Sequence, residues 1–283
     1  MVRVLAAFWF AFLILGGTGC NLINPAEEIP TYIQVDSFQF FNTRADSTGG
    51  TTHKIRSVFV TYRGQNVGGF DLPAKIPVLA SGTGELILSP GVDNTGLFSY
   101  QLQYPHYKSF ITNLTAAPGQ TTTVAPQTGY MPATRFSYLE TFENSNDFVT
   151  LSGSSVSNTT TPGEVLDGNR SGVFSASGTT PTTVVMSRTF NYLAANSDGF
   201  LELDYQGNAF LSIGVIADNQ SQPNYFFTLS PSPERNKIYV SLESAIAKLG
   251  NSASGLRILF QVYTQDGQTS GKVVVDNVKI LVF

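Results

Sequence analysis

Leu256-Arg257-Ile258-Leu259-Phe260-Gln261-Val262-Tyr263 alternates with a period of two. In an extended chain Leu256, Ile258, Phe260 and Val262 point one way, and Arg257, Leu259, Gln261 and Tyr263 the other. The first set is wholly apolar and belongs to a core. The second faces outward or lines a groove. Similar runs surround it: Gly172–Ala176, Thr183–Phe190, Gly199–Tyr205, Phe210–Ala217, Tyr225–Leu229, Lys237–Val240 and Lys272–Val282. They are short, rich in β-branched and aromatic residues, and bounded by Gly, Pro, Asn and Ser, so each reads as a strand. The polar section Ser152–Gly163 reads as loop flanking the strand Asp147–Leu151. One helix is expected. Ser241 is placed to cap it, Glu243 suits its first turn, and Lys248 and Gly250 suit its end. Leu242, Ala245, Ile246 and Leu249 form its apolar stripe.

The earlier part of the chain follows the same grammar. Strands are expected at Tyr32–Phe40, Ser57–Tyr62, Val67–Leu72, Glu85–Leu88, Phe98–Tyr104, Tyr107–Leu114 and Thr121–Ala125. Pro73 and Pro77 cannot donate to a ladder, so Leu72–Leu79 crosses between sheets or lies on an edge. Pro126, Gly129 and Pro132 mark a boundary. The expectation is an all-β chain: one small sandwich over 29–130, then a second β unit over 134–283.

The first 28 residues read differently. Arg3 is the only charge before Cys20, and an apolar run from Val4 to Leu15 leads into Gly16-Gly17-Thr18-Gly19-Cys20. That is the layout of a secretory leader, too short to span a bilayer. Cys20 is the only cysteine, so no disulfide within the chain is available. Its place makes it a lipid-attachment site, with 1–19 as signal peptide and 20–28 as tether. Acyl chains on Cys20 would hold the protein firmly at a membrane, at ~0.8 kcal/mol per buried methylene. The ordinary-leader reading has cleavage near Gly17 and an incidental cysteine.

Charged residues are only 13% of the chain, so Ser, Thr, Asn, Gln and Gly must cover the surface. Without Arg3, 15 basic residues face 20 acidic ones, a net charge near −5. Such a chain has no electrostatic case for nucleic acid. Catalytic motifs are missing too. The mature chain has only His53 and His106, with no Ser or Asp partner at motif spacing. Glu202 and Asp204 share one face of a strand and read as solvated acids rather than a glycosidase pair.

Three resemblances sharpen this outline. Leu15–Cys20 resembles a bacterial lipobox, and Glu27-Glu28 resembles the acidic export signal of Bacteroidetes-type surface lipoproteins. This implies a protein anchored to the bacterial outer membrane, on its periplasmic or cell-surface face. Val58–Pro73, a displayed hairpin followed by a proline-marked crossing, resembles small immunoglobulin-like surface modules. The order of Phe142-Glu143, Asp167-Gly168-Asn169-Arg170, Leu256–Phe260 and Val273-Val274-Val275-Asp276-Asn277-Val278 resembles galactose-binding-type jelly rolls, which serve as carbohydrate-binding and adhesion modules. That resemblance implies a non-catalytic binding role for the second half.

It also implies a structural Ca²⁺ held by Glu143 and Asp276. Strict alternation puts Asp276 on one face with Val274, Val278, Ile280 and Val282, where a lone carboxylate costs several kcal/mol. The alternatives are pairing with Arg188 or Arg257, or a loop cap at the sheet margin. Asp167–Gly172 imitates the start of a calcium loop, but position 178 is Gly where a bidentate Glu belongs, so it reads as a turn. For a glycan, flat faces and hydrogen-bonding groups are available from Tyr205, Tyr225, Tyr263, Arg257 and Gln261. The only Trp, Trp9, lies in the leader, which removes the largest stacking face. The competing function is a structural envelope component that contacts other proteins and binds no sugar.

Overall fold

The computed structural model describes residues 27–41, 49–94, 101–178, 180–191, 199–249 and 255–283. The leader, Cys20 and the expected helix end at Gly250 lie outside them, as does part of the expected strand at Phe98–Tyr104. No helix among the described residues is long and apolar enough to cross a membrane.

Among the described residues the chain is all-β with one short helix. Its first ten strands are β1 (Thr31–Val35), β2 (Gln39–Phe40), β3 (Ser57–Tyr62), β4 (Gln65–Asp71), β5 (Ala74–Val78), β6 (Gly82–Asp93), β7 (Gln101–Gln103), β8 (Phe110–Ala116), β9 (Thr121–Thr123) and β10 (Gln127–Thr128). Sheet β5-β1-β9 packs against the sheet built on β4-β3-β6, to which β7 and β8 add. Ile33, Val35, Ile76 and Val78 of one meet Val58, Val60, Leu86, Leu88 and Leu114 of the other. Pro77 sits on edge strand β5, where a missing N–H costs nothing.

The remaining strands are β11 (Arg135–Glu140), β12 (Phe148–Ser152), β13 (Ser157–Thr159), β14 (Ser171–Ser177), β15 (Thr182–Met186), β16 (Phe190–Asn191), β17 (Phe200–Gly207), β18 (Phe210–Ala217), β19 (Asn224–Leu229), β20 (Ser232–Ser241), β21 (Gly255–Tyr263) and β22 (Ser270–Val282). They form two facing sheets. The inner sheet runs β13-β14-β22-β17-β20, with β11 also on β22. The outer sheet runs β12-β15-β21-β18-β19, with β16 also on β21. Leu256, Ile258, Phe260 and Val262 enter the core between them, as their alternation requires. Helix α1 (Glu243–Ala247) closes one side. Its stripe of Leu242, Ala245, Ile246 and Leu249 is buried in the same core. Leu242, not Ser241, takes the N-cap position, because Ser241 is still the last residue of β20.

A third core joins the halves. Strand β6 continues past its sandwich so that Val92 packs with Tyr104, Tyr107 and Tyr130 against Phe200, Tyr239 and Leu281 of the inner sheet. The rings meet edge to face, Tyr104 lying 4.9 Å from Tyr239 and 5.1 Å from Phe200. Each such pair adds ~0.5–1.5 kcal/mol beyond area burial. The outer face of the inner sheet is therefore covered by the first half of the chain, and the outer face of the outer sheet is not.

Candidate functional sites

Arg257, Leu259, Gln261 and Tyr263 all lie on the outer face of the outer sheet, opposite to the core set on β21, although Leu259 is itself buried there with Val185 and Ile216. Register aligns them with neighbours. Thr183, Gln261, Ser212 and Thr228 form one row across four strands. Gln261 donates to Thr183 at 3.2 Å, and Ser212 and Thr228 are joined at 2.7 Å. On one side of this row Tyr263 stacks on Phe210, with centroids 5.1 Å apart and planes 14° apart. On the other side lies Tyr225. Its partner across the ladder is Gly214, and a Cβ there would sit 2.8 Å from the Tyr225 ring. The glycine leaves room for the ring against the sheet. From β19 the Tyr225 hydroxyl reaches Thr183 on β15, and burial lifts its pKa above the ordinary value. A side chain that bridges those strands lies along the sheet with a flat face outward. Arg257 ends the track, ~20 Å from Tyr263 by strand rise.

Tyr205 does not join this surface. It is 5% exposed and points into the core from the inner sheet, where Asn236 donates to its hydroxyl at 3.3 Å. The placement follows from parity: on β17, Leu201, Leu203 and Tyr205 share the core-facing side.

The other side of β17 carries Glu202 and Asp204, and both are fully buried rather than solvated. They lie beneath the first half of the chain. Glu202 accepts from Tyr104 at 2.7 Å and Tyr130 at 2.8 Å, and it forms an ion pair with the Lys237 ammonium at 3.2 Å. Lys279, opposite Glu202 in the ladder, donates to Tyr130 and to the Gly50 carbonyl. Desolvation works against the Glu202 carboxylate, but Lys237, Lys279 and the two tyrosines outweigh it and hold its pKa low. Burial and the Lys237 charge pull the Lys279 ammonium down to about 8. Lys237 moves upward, because Asp204 and Glu202 overcome its own desolvation.

Asp276 belongs to this face too, and here strict alternation fails. Asn277 adopts a left-handed φ of +48° and is an extra residue opposite β17, where Glu202 pairs Lys279 but Asp204 pairs Asp276. This bulge shifts the phase by one. Val278 and Ile280 thus turn into the core with Val273 and Val275, while Asp276 and Lys279 turn away from it. Asp276 pairs with neither Arg188, which bridges Asp147, nor Arg257, which lies on the other sheet; it caps the loop that leads into β14. Its carboxylate accepts from Ser171 at 2.6 Å, the Asp167 amide at 3.2 Å and the Asn277 amide at 2.7 Å. Burial, with Asp204 and Asp167 nearby, pushes its pKa up to about 7.

Glu143 and Asp276 do line one cleft of about 430 Å³, with Asp167, Asn144 and Gly50. Glu143 accepts from the amides of Asn169 and Arg170, which outweigh its partial desolvation and lower its pKa. The oxygen donors there are of the kind Ca²⁺ takes. Among the described residues no group of three or more His, Cys, Asp or Glu side chains converges on one point, so an ion here needs backbone carbonyls to complete its shell. His53 stacks on Phe40 at the surface, whereas His106 is buried against Phe283 with Thr134 3.2 Å from its ring nitrogen.

Sequence reasoning missed Lys237, Lys279, Tyr104, Tyr130 and Asn277. One signal was present. Two acids on β17 are matched by a lysine on each neighbouring strand, β20 and β22, which is the pattern of a face paired within itself.

No protein-family model matches the chain, and no curated protein is similar to it. Among solved structures it is similar to a family 11 carbohydrate-binding module from Clostridium thermocellum in complex with a β-1,3-1,4-mixed-linked tetrasaccharide. Identity is 17% and the TM-score 0.38, over 52% of this chain and 94% of that one. It is also similar to carbohydrate-binding modules of the β-sandwich superfamily, at 14% identity and TM-score 0.37 over 80% and 85%. A third is TmCBM61 in complex with β-1,4-galactotriose, at 10% identity and TM-score 0.33 over 54% and 90%. Similarity at this depth does not reach to site or ligand.

Proposed function

We propose that this protein is a non-catalytic glycan-binding lipoprotein of the bacterial outer membrane, which grips an extended saccharide on the uncovered face of its outer sheet. One observation carries the reading: Tyr225, Gln261, Tyr263 and Arg257 lie on one open face with a transverse row of hydroxyl and amide groups between two aromatic surfaces. Aromatic faces stack on the apolar faces of sugar rings, and the row supplies the hydrogen bonds that fix orientation. A glycan array probed with protein beginning at Asn21 tests it. Tyr225→Ala and Tyr263→Ala are each expected to weaken binding about five- to tenfold. Tyr205→Phe, altered only in the core, leaves it unchanged. Silence of the array, with an envelope protein recovered by crosslinking, would sink the glycan reading in favour of a scaffold.

The anchor and the ion belong to the same proposal. Cys20 carries the lipid, and Glu143 with Asp276 holds one structural Ca²⁺. Mass spectrometry of protein extracted from membranes addresses both. Denaturing spectra are expected to show acyl mass on Cys20, and native spectra one calcium that EDTA removes. An unmodified amino terminus rules out the tether, and a native mass without metal in calcium-containing buffer rules out the ion site.

A further inference from the structure

A second cleft, of about 470 Å³, opens where residues 52–54 meet β17 and β20. This lies within the ~300–1,000 Å³ usual for small-ligand sites. Thr52, His53, Lys54, Asp204, Arg235 and Lys237 border it. Two of these are buried and incompletely satisfied. Asp204 is 0% exposed: its Oδ2 accepts from Thr52 at 2.6 Å and Asn277 at 3.0 Å, but its Oδ1 has no hydrogen-bond partner. Lys237 is 5% exposed, and beyond its 3.2 Å ion pair with Glu202 its ammonium has no hydrogen-bond partner. The two residues are direct partners across the β17–β20 ladder. A buried group left without a hydrogen bond is costly, and one beside a cleft calls for an occupant.

The chemistry of the vacant valences limits that occupant. Asp204 Oδ1 needs a donor, and Lys237 needs an acceptor. A carboxylate or phosphate serves the lysine and is repelled by the aspartate; an ammonium does the reverse. A hydroxyl group does both at once. We propose that this cleft is a second saccharide site, separate from the outer-sheet track, in which one sugar hydroxyl donates to Asp204 Oδ1 and accepts from Lys237 Nζ. Neighbouring hydroxyls meet Thr52 and the Lys54–Asn236 pair at the rim, which is itself joined at 2.7 Å. Arg235 stands at the mouth. Its Nε lies 3.8 Å from Asp204 Oδ1 on a side chain 41% exposed, and this arm is the group the sugar displaces.

The proposal extends the glycan-binding reading to a new place, and the test separates the two. Isotope-labelled protein beginning at Asn21 is titrated with glucose, galactose and mannose while its backbone amide resonances are followed. At least one hexose is expected to shift the amides of Thr52, Lys54, Asn236 and Lys237 saturably. Asp204→Asn is expected to weaken that response about tenfold or more. Arg235→Ala, which removes the arm the sugar displaces together with its 2.7 Å bond to the Leu166 carbonyl, is expected to strengthen it. Shifts confined to Thr183, Ser212 and Gln261 would overturn the second site and keep the first. Shifts confined to the cleft would do the opposite. No saturable shift at the cleft in either wild type or Arg235→Ala means that a structural water alone bridges Asp204 and Lys237, and the proposal is wrong.

Discussion

Replacing Glu202 by Gln is expected to lower the unfolding free energy by about 3–5 kcal/mol near neutral pH. The carboxylate is fully buried, and it is the common partner of Tyr104, Tyr130 and Lys237 with Lys279 opposite. The amide keeps the shape and one acceptor but leaves two buried lysines with one carboxylate fewer, Asp204 being the anion that remains. Removing one member of a buried pair costs far more than the pair contributes net. The pH dependence distinguishes this from simple misfit. The folded pKa of Glu202 is depressed. Its stabilisation is therefore present above the unfolded carboxyl value and is lost as pH falls through the lower folded value. Urea unfolding of wild type and variant should show a gap that is full at neutral pH and closes in acid. A gap of the same size at every pH would mean that Glu202 acts through packing alone.

That interface also shows how far the amino-acid order speaks. Period-two runs announced the strands because side-chain parity is a local property, and Leu256–Tyr263 placed both its core set and its outward set correctly. The aromatic and polar members of the outward set, Gln261 and Tyr263, could be named for the same reason. Parity does not reveal what lies above a face. Glu202 and Asp204 look like solvated acids because the covering tyrosines, Tyr104 and Tyr130, lie 98 and 72 positions before Glu202. Tyr205 is a different case, since it shares the parity of Leu201 and Leu203, and that local signal already places it in the core. The covering of one sheet by another unit is a long-range event, and alternation within a strand is blind to it.

Asn277 is the second position where a large effect is expected. In a plain strand Lys279 would share the side of Val273 and Val275 and enter the core. The extra residue at φ +48° moves it to the charged face instead. Asn is one of the few side chains that tolerate this conformation, and here it is also bonded on every side. Its Oδ1 accepts from the Gly50 amide at 3.0 Å, and its Nδ2 lies 3.0 Å from both Asp167 and Asp204. It thus bridges the carboxylate of Asp167, in the loop before β14, to that of Asp204 on β17. Asn277→Ala is expected to cost about 2–5 kcal/mol, joining ~1–2 for a left-handed alanine to ~1–3 for the orphaned amide and carboxylate groups. Asn277→Gly removes the first contribution only and should recover ~1–2 kcal/mol of the loss. Chemical unfolding of the two variants side by side decides the matter. If alanine and glycine are equally destabilising, the left-handed backbone stores no strain; if both are near wild type, the bulge does not depend on this side chain.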